Sequence, residues 1–158
     1  MEIIPAETPE HLDHVRKLFG EYEQFLGVDL CFQEFDIELA SLPGKYAPPD
    51  GRLVLAIEGG AAAGCAAIRK LDDGVCEMKR LYVREEFRSR GLGRRLAREM
   101  IVQAAEAGYA AMRLDTLDRL IEAMALYESL GFRRTEPYYD NPLDGVVYWA
   151  LSLDSENK

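Results

Sequence analysis

The sequence is poor in everything a membrane span, a metal centre or a nucleic-acid interface would need. The uncharged run near the middle that contains Ala61 to Ile68 is too short and too rich in alanine to cross a bilayer. Only two histidines occur, His11 and His14, and they fall on a predicted surface helix far from any cysteine. The three cysteines, Cys31, Cys65 and Cys76, make an odd count with no CxxC spacing. They read as buried thiols of a reducing cytosol, and no metal is expected. A basic excess is also missing: 19 Lys and Arg against 28 Asp and Glu leave a net charge of −9. Such a balance argues against nucleic acid as the main partner, since a phosphate backbone needs a basic footprint. The opening Met-Glu-Ile-Ile-Pro-Ala-Glu has neither the basic nor the apolar region of a secretory signal. The expectation is a cytoplasmic protein with no membrane partner.

What is present is an ordinary globular mixture, 48% hydrophobic and 30% charged, without repeat, low-complexity tract or dividing linker. One mixed α/β (α+β) domain over residues 1–158 is the economical reading. Glu2 to Pro5 reads as a strand. Thr8-Pro9 then caps a helix whose apolar positions Leu12, Val15, Leu18, Phe19, Tyr22, Phe25 and Leu26 form one buried stripe. Phe32 to Leu42 reads as a shorter helix ended by Pro43-Gly44. Arg52–Glu58, Ala61–Leu71 and Val75–Val83 form a meander punctuated by Gly59-Gly60 and Asp72-Asp73-Gly74. Leu92 to Ala107 is a helix with Leu96, Met100 and Ala104 on one face, capped by Gly108. Ala110–Thr116 reads as a strand and Arg119–Leu130 as a helix. Phe132–Arg134 and Val146–Leu153 make a last hairpin across the Pro137–Gly145 loop.

The informative segment follows the third meander strand. There, Glu77-Met-Lys-Arg-Leu81-Tyr82-Val83 runs into Arg88-Ser89-Arg90-Gly91-Leu92-Gly93-Arg94-Arg95, where a helix begins. Two glycines at a helix N-terminus let backbone N–H groups converge where the macrodipole is positive, which suits a pyrophosphate. Six arginines lie between Arg84 and Arg98 and can add charge-assisted hydrogen bonds. The spacing is neither the dinucleotide fingerprint nor a Walker motif. By itself it supports an anion site, and a plain strand–helix turn remains the alternative.

The string Arg88-x-x-Gly91-x-Gly93 resembles the R/Q-x-x-G-x-G/A motif of the GNAT superfamily of N-acetyltransferases. Ala123-Met-Ala-Leu-Tyr127-Glu-Ser-Leu-Gly131-Phe132 is similar to that family's A-x-x-L-Y-x-x-x-G-F helix end. The motif core runs from about 77 to 132, and the order of elements agrees along nearly the whole chain. The resemblance implies the GNAT fold: a mostly antiparallel six- to seven-stranded sheet with about four helices and splayed fourth and fifth strands.

It further implies acetyl-CoA as co-substrate, its pantetheine arm against Leu81, Tyr82 and Val83 and its pyrophosphate on Arg88, Ser89, Arg90, Gly91, Leu92, Gly93, Arg94 and Arg95. Val83 would supply the oxyanion donor, Tyr127 the general acid for the departing thiolate, and Glu77 a general base. Relatives' asparagine before the tyrosine is replaced by Leu120, with Asp118 close by. The acceptor would be a primary amine, small or peptide-borne. Tyr22, Tyr46, Tyr138 and Tyr139 are candidates to hold it, with Phe32 and Phe35 nearby and carboxylates in the Tyr138–Asp144 loop. A homodimer is compatible with the family. A non-catalytic acyl-CoA sensor or partner subunit on the same fold, and a nucleotide-binding regulator using the arginine turn, stand as competing readings.

Overall fold

The computed structural model describes residues 1–30 and 33–153. Its elements are β1 (Glu2–Pro5), α1 (Pro9–Leu26), α2 (Phe35–Ser41), β2 (Arg52–Glu58), β3 (Ala61–Asp72), β4 (Val75–Val83), α3 (Leu92–Glu106), β5 (Ala111–Leu117), α4 (Ile121–Ser129), β6 (Arg133–Thr135) and β7 (Val146–Ser152). The strands form one sheet in the order β1-β2-β3-β4-β5-β7-β6. Every neighbouring pair is antiparallel except β4 and β5. The expected helix Phe32–Leu42 is observed as Phe35–Ser41. Phe32 and Cys31 themselves lie outside the described residues.

Alternation along the strands builds two cores on the two faces of the sheet. Leu53, Leu55, Cys65 and Ala67 join Val15, Leu18 and Phe19 of α1 and Phe35 of α2 on one face. Val54, Ala56, Ala66, Ile68 and Met78 join Leu92, Leu96, Met100 and Ala104 of α3 and Tyr127 of α4 on the other. Small residues on β3 let α3 lie close. A Cβ added at Gly64 would come within 2.6 Å of the Tyr82 carbonyl oxygen and 3.2 Å of Leu96 Cδ1. Thr8 caps α1 as expected, with His11 completing the capping box, so the first histidine serves the helix start. Cys65 and Cys76 are buried free thiols. One member of the α1 stripe departs from expectation. Phe25 is 45% exposed, because that edge of the helix faces an open cleft rather than the core.

The feature that positions the site is a break in the β4 ladder. Between the pairs Cys65–Tyr82 and Ala67–Lys79, β4 advances three residues while β3 advances two. The extra residue is a bulge, with Arg80 in the left-handed region at φ 62. On its other edge β4 pairs with β5 only at Val75–Glu77 against Ala111–Arg113. Past Glu77 the two parallel strands separate, β4 staying paired with β3 to Val83 and β5 with β7 to Leu117. Strands four and five are splayed, and the sheet is seven-stranded with four helices.

Candidate active site

The splay opens into a cleft of about 630 Å³. Met78 through Val83 of β4 form one wall, and Leu114, Asp115 and Thr116 of β5 face them. Tyr22, Phe25 and Leu26 from α1 close one side, and Leu120 to Ala123, Leu126 and Tyr127 of α4 the other. The turn into α3 contributes Arg88, Ser89, Gly91, Leu92 and Gly93 at the outer end. Beyond Glu77 the β4 backbone has no strand partner on the β5 side, an unused edge of the kind extended ligands pair with.

The turn is built for an anion. Ser89 and Gly91 both take positive φ, 67 and 76, which curls the chain so that α3 starts with no side chain capping it. The first hydrogen bond at this end runs from the Arg95 N–H to the Gly91 carbonyl. The amides of Leu92, Gly93 and Arg94 therefore lack helical partners. The arginines divide. Arg88 donates from Nε to the Val83 carbonyl at 2.8 Å and stacks on Phe25, 4.7 Å from the ring centre, with its charge beside the cleft. Arg84 is committed to Glu21 of α1 at 2.8 Å, and Arg94 donates to Ser129. Arg90 packs over Phe87. Arg90, Arg94 and Arg95 do not line the cleft with their side chains.

Tyr127 sits in the crotch of the splay, 7% exposed, against Phe132 and Trp149 at ring distances of 5.7 and 6.4 Å. Among the described residues its hydroxyl has no hydrogen-bond partner, and it borders the cleft. Burial pushes its phenol well above the usual tyrosine value, so it stays protonated.

Glu77 is placed differently from the expectation. It is 1% exposed, does not line the cleft, and accepts from Arg69 Nε at 2.8 Å and from the Tyr138 hydroxyl. A carboxylate so enclosed holds Arg69 and Tyr138 in place. Tyr46 also departs from expectation. It is 2% exposed, packs edge-on against Phe19 at 6.1 Å, and borders a second groove rather than the cleft. Tyr22 lines the cleft, its phenol pushed up to about 12 chiefly by burial. Tyr138 and Tyr139 stand just behind the cleft, stacked with Tyr148 and bonded to Glu77 and Asp115 respectively. Asp118 is turned away, its carboxylate packed over Gly145, and Leu120 and Ile121 present an apolar rim in place of a polar contact.

Sequence reasoning missed charged groups inside the cleft, Lys79, Arg80 and Asp115 among them. Lys79 has a side chain only 11% exposed and donates to Gln33 at 2.9 Å. Burial, then neighbouring Arg80, lowers it to about 8. Arg80, 3% exposed, makes a two-pronged contact with Glu38 of α2 at 2.9 Å on both arms. Asp115 accepts from the Tyr139 hydroxyl and from Asn141 Nδ2 at 3.1 Å. The available signal was the charge itself: Lys79-Arg80 and Asp115 stand in largely apolar strands, beside Glu77 and Arg113.

The site is thus a sheet opened by a bulge, with an unpaired strand edge in the opening and a bare helix N-terminus at its mouth. The chain belongs to the acetyltransferase (GNAT) family, whose model matches residues 12–132. It is 46% identical to an uncharacterised N-acetyltransferase of Schizosaccharomyces pombe, over 97% of this chain and 95% of that one. A GNAT-family acetyltransferase from Staphylococcus aureus Mu50 superposes with a TM-score of 0.81 at 20% identity, covering 97% and 99% of the two chains. YncA from Salmonella typhimurium, solved with its cofactor acetyl-CoA, superposes with a TM-score of 0.75 at 21% identity, covering 98% and 95%. No helix among the described residues is long and apolar enough to cross a membrane, and none of their His, Cys, Asp and Glu side chains cluster as a metal site.

Proposed function

We propose that this chain is an N-acetyltransferase that moves an acetyl group from acetyl-CoA to a primary amine by direct attack within a ternary complex. The observation that carries the reading is the continuity of the cleft: bare α3 amides at one end, the unpaired β4 edge along its length and the free Tyr127 hydroxyl at the crotch. The amides of Leu92, Gly93 and Arg94 with Arg88 would take the pyrophosphate, and the backbone at Leu81 and Val83 the pantetheine arm. Acetyl-CoA supplies an activated carbonyl; the N–C bond forms, the C–S bond breaks, one proton leaves the amine and one reaches the sulfur.

Tyr127 is the group this chain offers at the sulfur. A phenol above its ordinary pKa of about 10 is a poor full donor to a thiolate whose acid is near 8.5, an uphill transfer of at least about 2 kcal/mol. Tyr127 therefore works as a hydrogen-bond donor that steadies the leaving sulfur, with protonation completed as that bond breaks. The backbone N–H at Val83 is the donor toward the carbonyl oxygen. Asp115, on the cleft wall, receives the amine proton, while Glu77 holds Arg69 and Tyr138 behind it.

Thermal-shift titration with acetyl-CoA, followed by thiol release over a panel of amines, tests the reading. Stabilisation that Gly91→Glu abolishes is expected, because the new carboxylate stands among the amides meant for phosphate. Stabilisation without turnover of any amine, unaffected by Tyr127→Phe, favours the sensor reading instead. ATP or NAD binding tighter than CoA refutes both.

A further inference from the structure

The charges along the inner end of the cleft do not cancel pairwise. Glu38 is taken by Arg80, Glu77 by Arg69 and Glu21 by Arg84, each at 2.8 or 2.9 Å. Lys79 and Asp115 have no charged partner that close among the described residues. They stand on facing strands just past the last β4–β5 pair, Glu77–Arg113, so the register puts both at the start of the splay. Both line the cleft, yet they do not form an ion pair with each other. Each is steadied by neutral groups: Lys79 by the Gln33 amide, Asp115 by Tyr139 and Asn141. Gln33 and Tyr139 are themselves hydrogen-bonded at 3.2 Å, so one network fixes both charges. Among the described residues the carboxylate within 4 Å of Lys79 Nζ is Glu77, at 3.9 Å and already held by Arg69 and Tyr138.

Opposite charges held apart across a cleft, without pairing, call for a ligand that carries both. We propose that the acceptor is a free amino acid or a close relative, its carboxylate received by Lys79 and its amine by Asp115. A polyamine would bring a second cation against Lys79, and a protein N-terminus would bring an amide where the carboxylate is needed. Asp115 also borders a small neighbouring recess of about 40 Å³, shared with Gln33, Arg80 and Asn141 and otherwise lined mostly by Leu26, Leu30 and other apolar side chains. Lys79 is pushed down to about 8 by burial and Arg80, so an incoming anion favours its charged form. The inference rests on the acetyl-CoA reading above and narrows its acceptor.

The test compares the free amino acids with their carboxamides and their decarboxylated amines in the thiol-release assay at saturating acetyl-CoA. At least one amino acid should be acetylated with kcat/KM a hundredfold or more above both its carboxamide and its amine. Lys79→Met should raise KM for that amino acid tenfold or more, leave kcat within about threefold, and leave the carboxamide's kcat/KM unmoved. Lys79→Arg should restore most of the loss in KM. If Lys79→Met is poorly folded, Lys79→Gln replaces it, read by the thermal shift that the amino acid produces in the presence of CoA. Amines acetylated as well as amino acids would overturn the proposal. Equal loss of kcat on every acceptor in Lys79→Met would also overturn it, making Lys79 a base. Acetyl-CoA binding with no amino acid accepted overturns it while sparing the cofactor reading; absence of acetyl-CoA binding removes the reading beneath it.

Discussion

Replacing Glu38 by alanine should cost this protein far more than an ordinary surface substitution, and should loosen the cofactor cleft as well. The Arg80 guanidinium is 3% exposed and lies between Phe35 and Tyr22, 5.2 and 5.8 Å from their ring centres. Its two hydrogen bonds to Glu38, both 2.9 Å, are its charge-bearing partners. Removing one member of a buried ion pair strands the other, at roughly 3–5 kcal/mol. Arg80 also borders the cleft, so water reaches part of it and the lower end, about 3 kcal/mol, is the expected value. For a chain of this length each kcal/mol moves the melting temperature by about 2–4 °C, so a drop of roughly 6–12 °C should appear in thermal denaturation. Arg80 holds the bulge from which Leu81 to Val83 diverge, so acetyl-CoA should also stabilise Glu38→Ala less than the parent. The double substitution Glu38→Ala with Arg80→Met removes the stranded charge. It should recover most of the loss, because the left-handed backbone at position 80 carries the same strain with either side chain. A melting temperature within 3 °C of the parent for Glu38→Ala, or no recovery in the double variant, would refute the reasoning.

Tyr127→Phe keeps the packing against Phe132 and Trp149 and loses only the hydroxyl; kcat should fall about ten- to a hundredfold with the acetyl-CoA dissociation constant nearly unchanged. Gly64→Ala forces its Cβ against the Tyr82 carbonyl and Leu96, so about 1–3 kcal/mol of stability should be lost in denaturant melts, with weaker acetyl-CoA binding because Tyr82 and Val83 must shift. The pH profile of kcat/KM for an amino-acid acceptor should be bell-shaped. Lys79, lowered by burial, Arg80 and Arg69 and supported by Glu77 and Asp115, is cationic below about pH 8 and loses its charge above, so the alkaline limb should bend near pH 8 and move upward in Lys79→Arg. The stability sign is opposite: with a folded value of about 8 below the unfolded 10.5, the unfolded chain binds more protons in between. Stability should therefore rise through that window in the parent and not in Lys79→Met.

The fold was legible where local rules and periodicity agree. Thr8-Pro9 opened α1, glycines closed the meander turns, and the Gly91-Leu92-Gly93 string marked the start of α3, because each of these is decided by the backbone within a few residues. Burial was less legible wherever the sheet departs from an unbroken layer. Phe25 has the spacing of a core residue and the environment of a cleft wall, and Tyr46 has the composition of a loop aromatic and the environment of the core. Glu77 drew attention as a strand acid, but its role depends on Arg69 across β3 and Tyr138 from the last loop, partners at sequence distances that no local pattern reports.

The bulge at Arg80 links these cases. An extra residue on β4 turns the strand away from β5, and that single departure creates the unpaired edge, exposes the α1 flank at Phe25 and brings Lys79 to face Asp115. It also places an arginine in the left-handed region, an arrangement costing about 1–2 kcal/mol for any residue but glycine. Glu38 offsets that strain by fixing the guanidinium from α2. The cofactor end and the acceptor end are thus not independently adjustable: both hang from one strained residue and the helix that clamps it. A substitution that relaxed Arg80 into regular β geometry would extend the β4–β5 ladder past Glu77, and in closing the gap it would remove the Lys79–Asp115 separation on which the choice of acceptor depends.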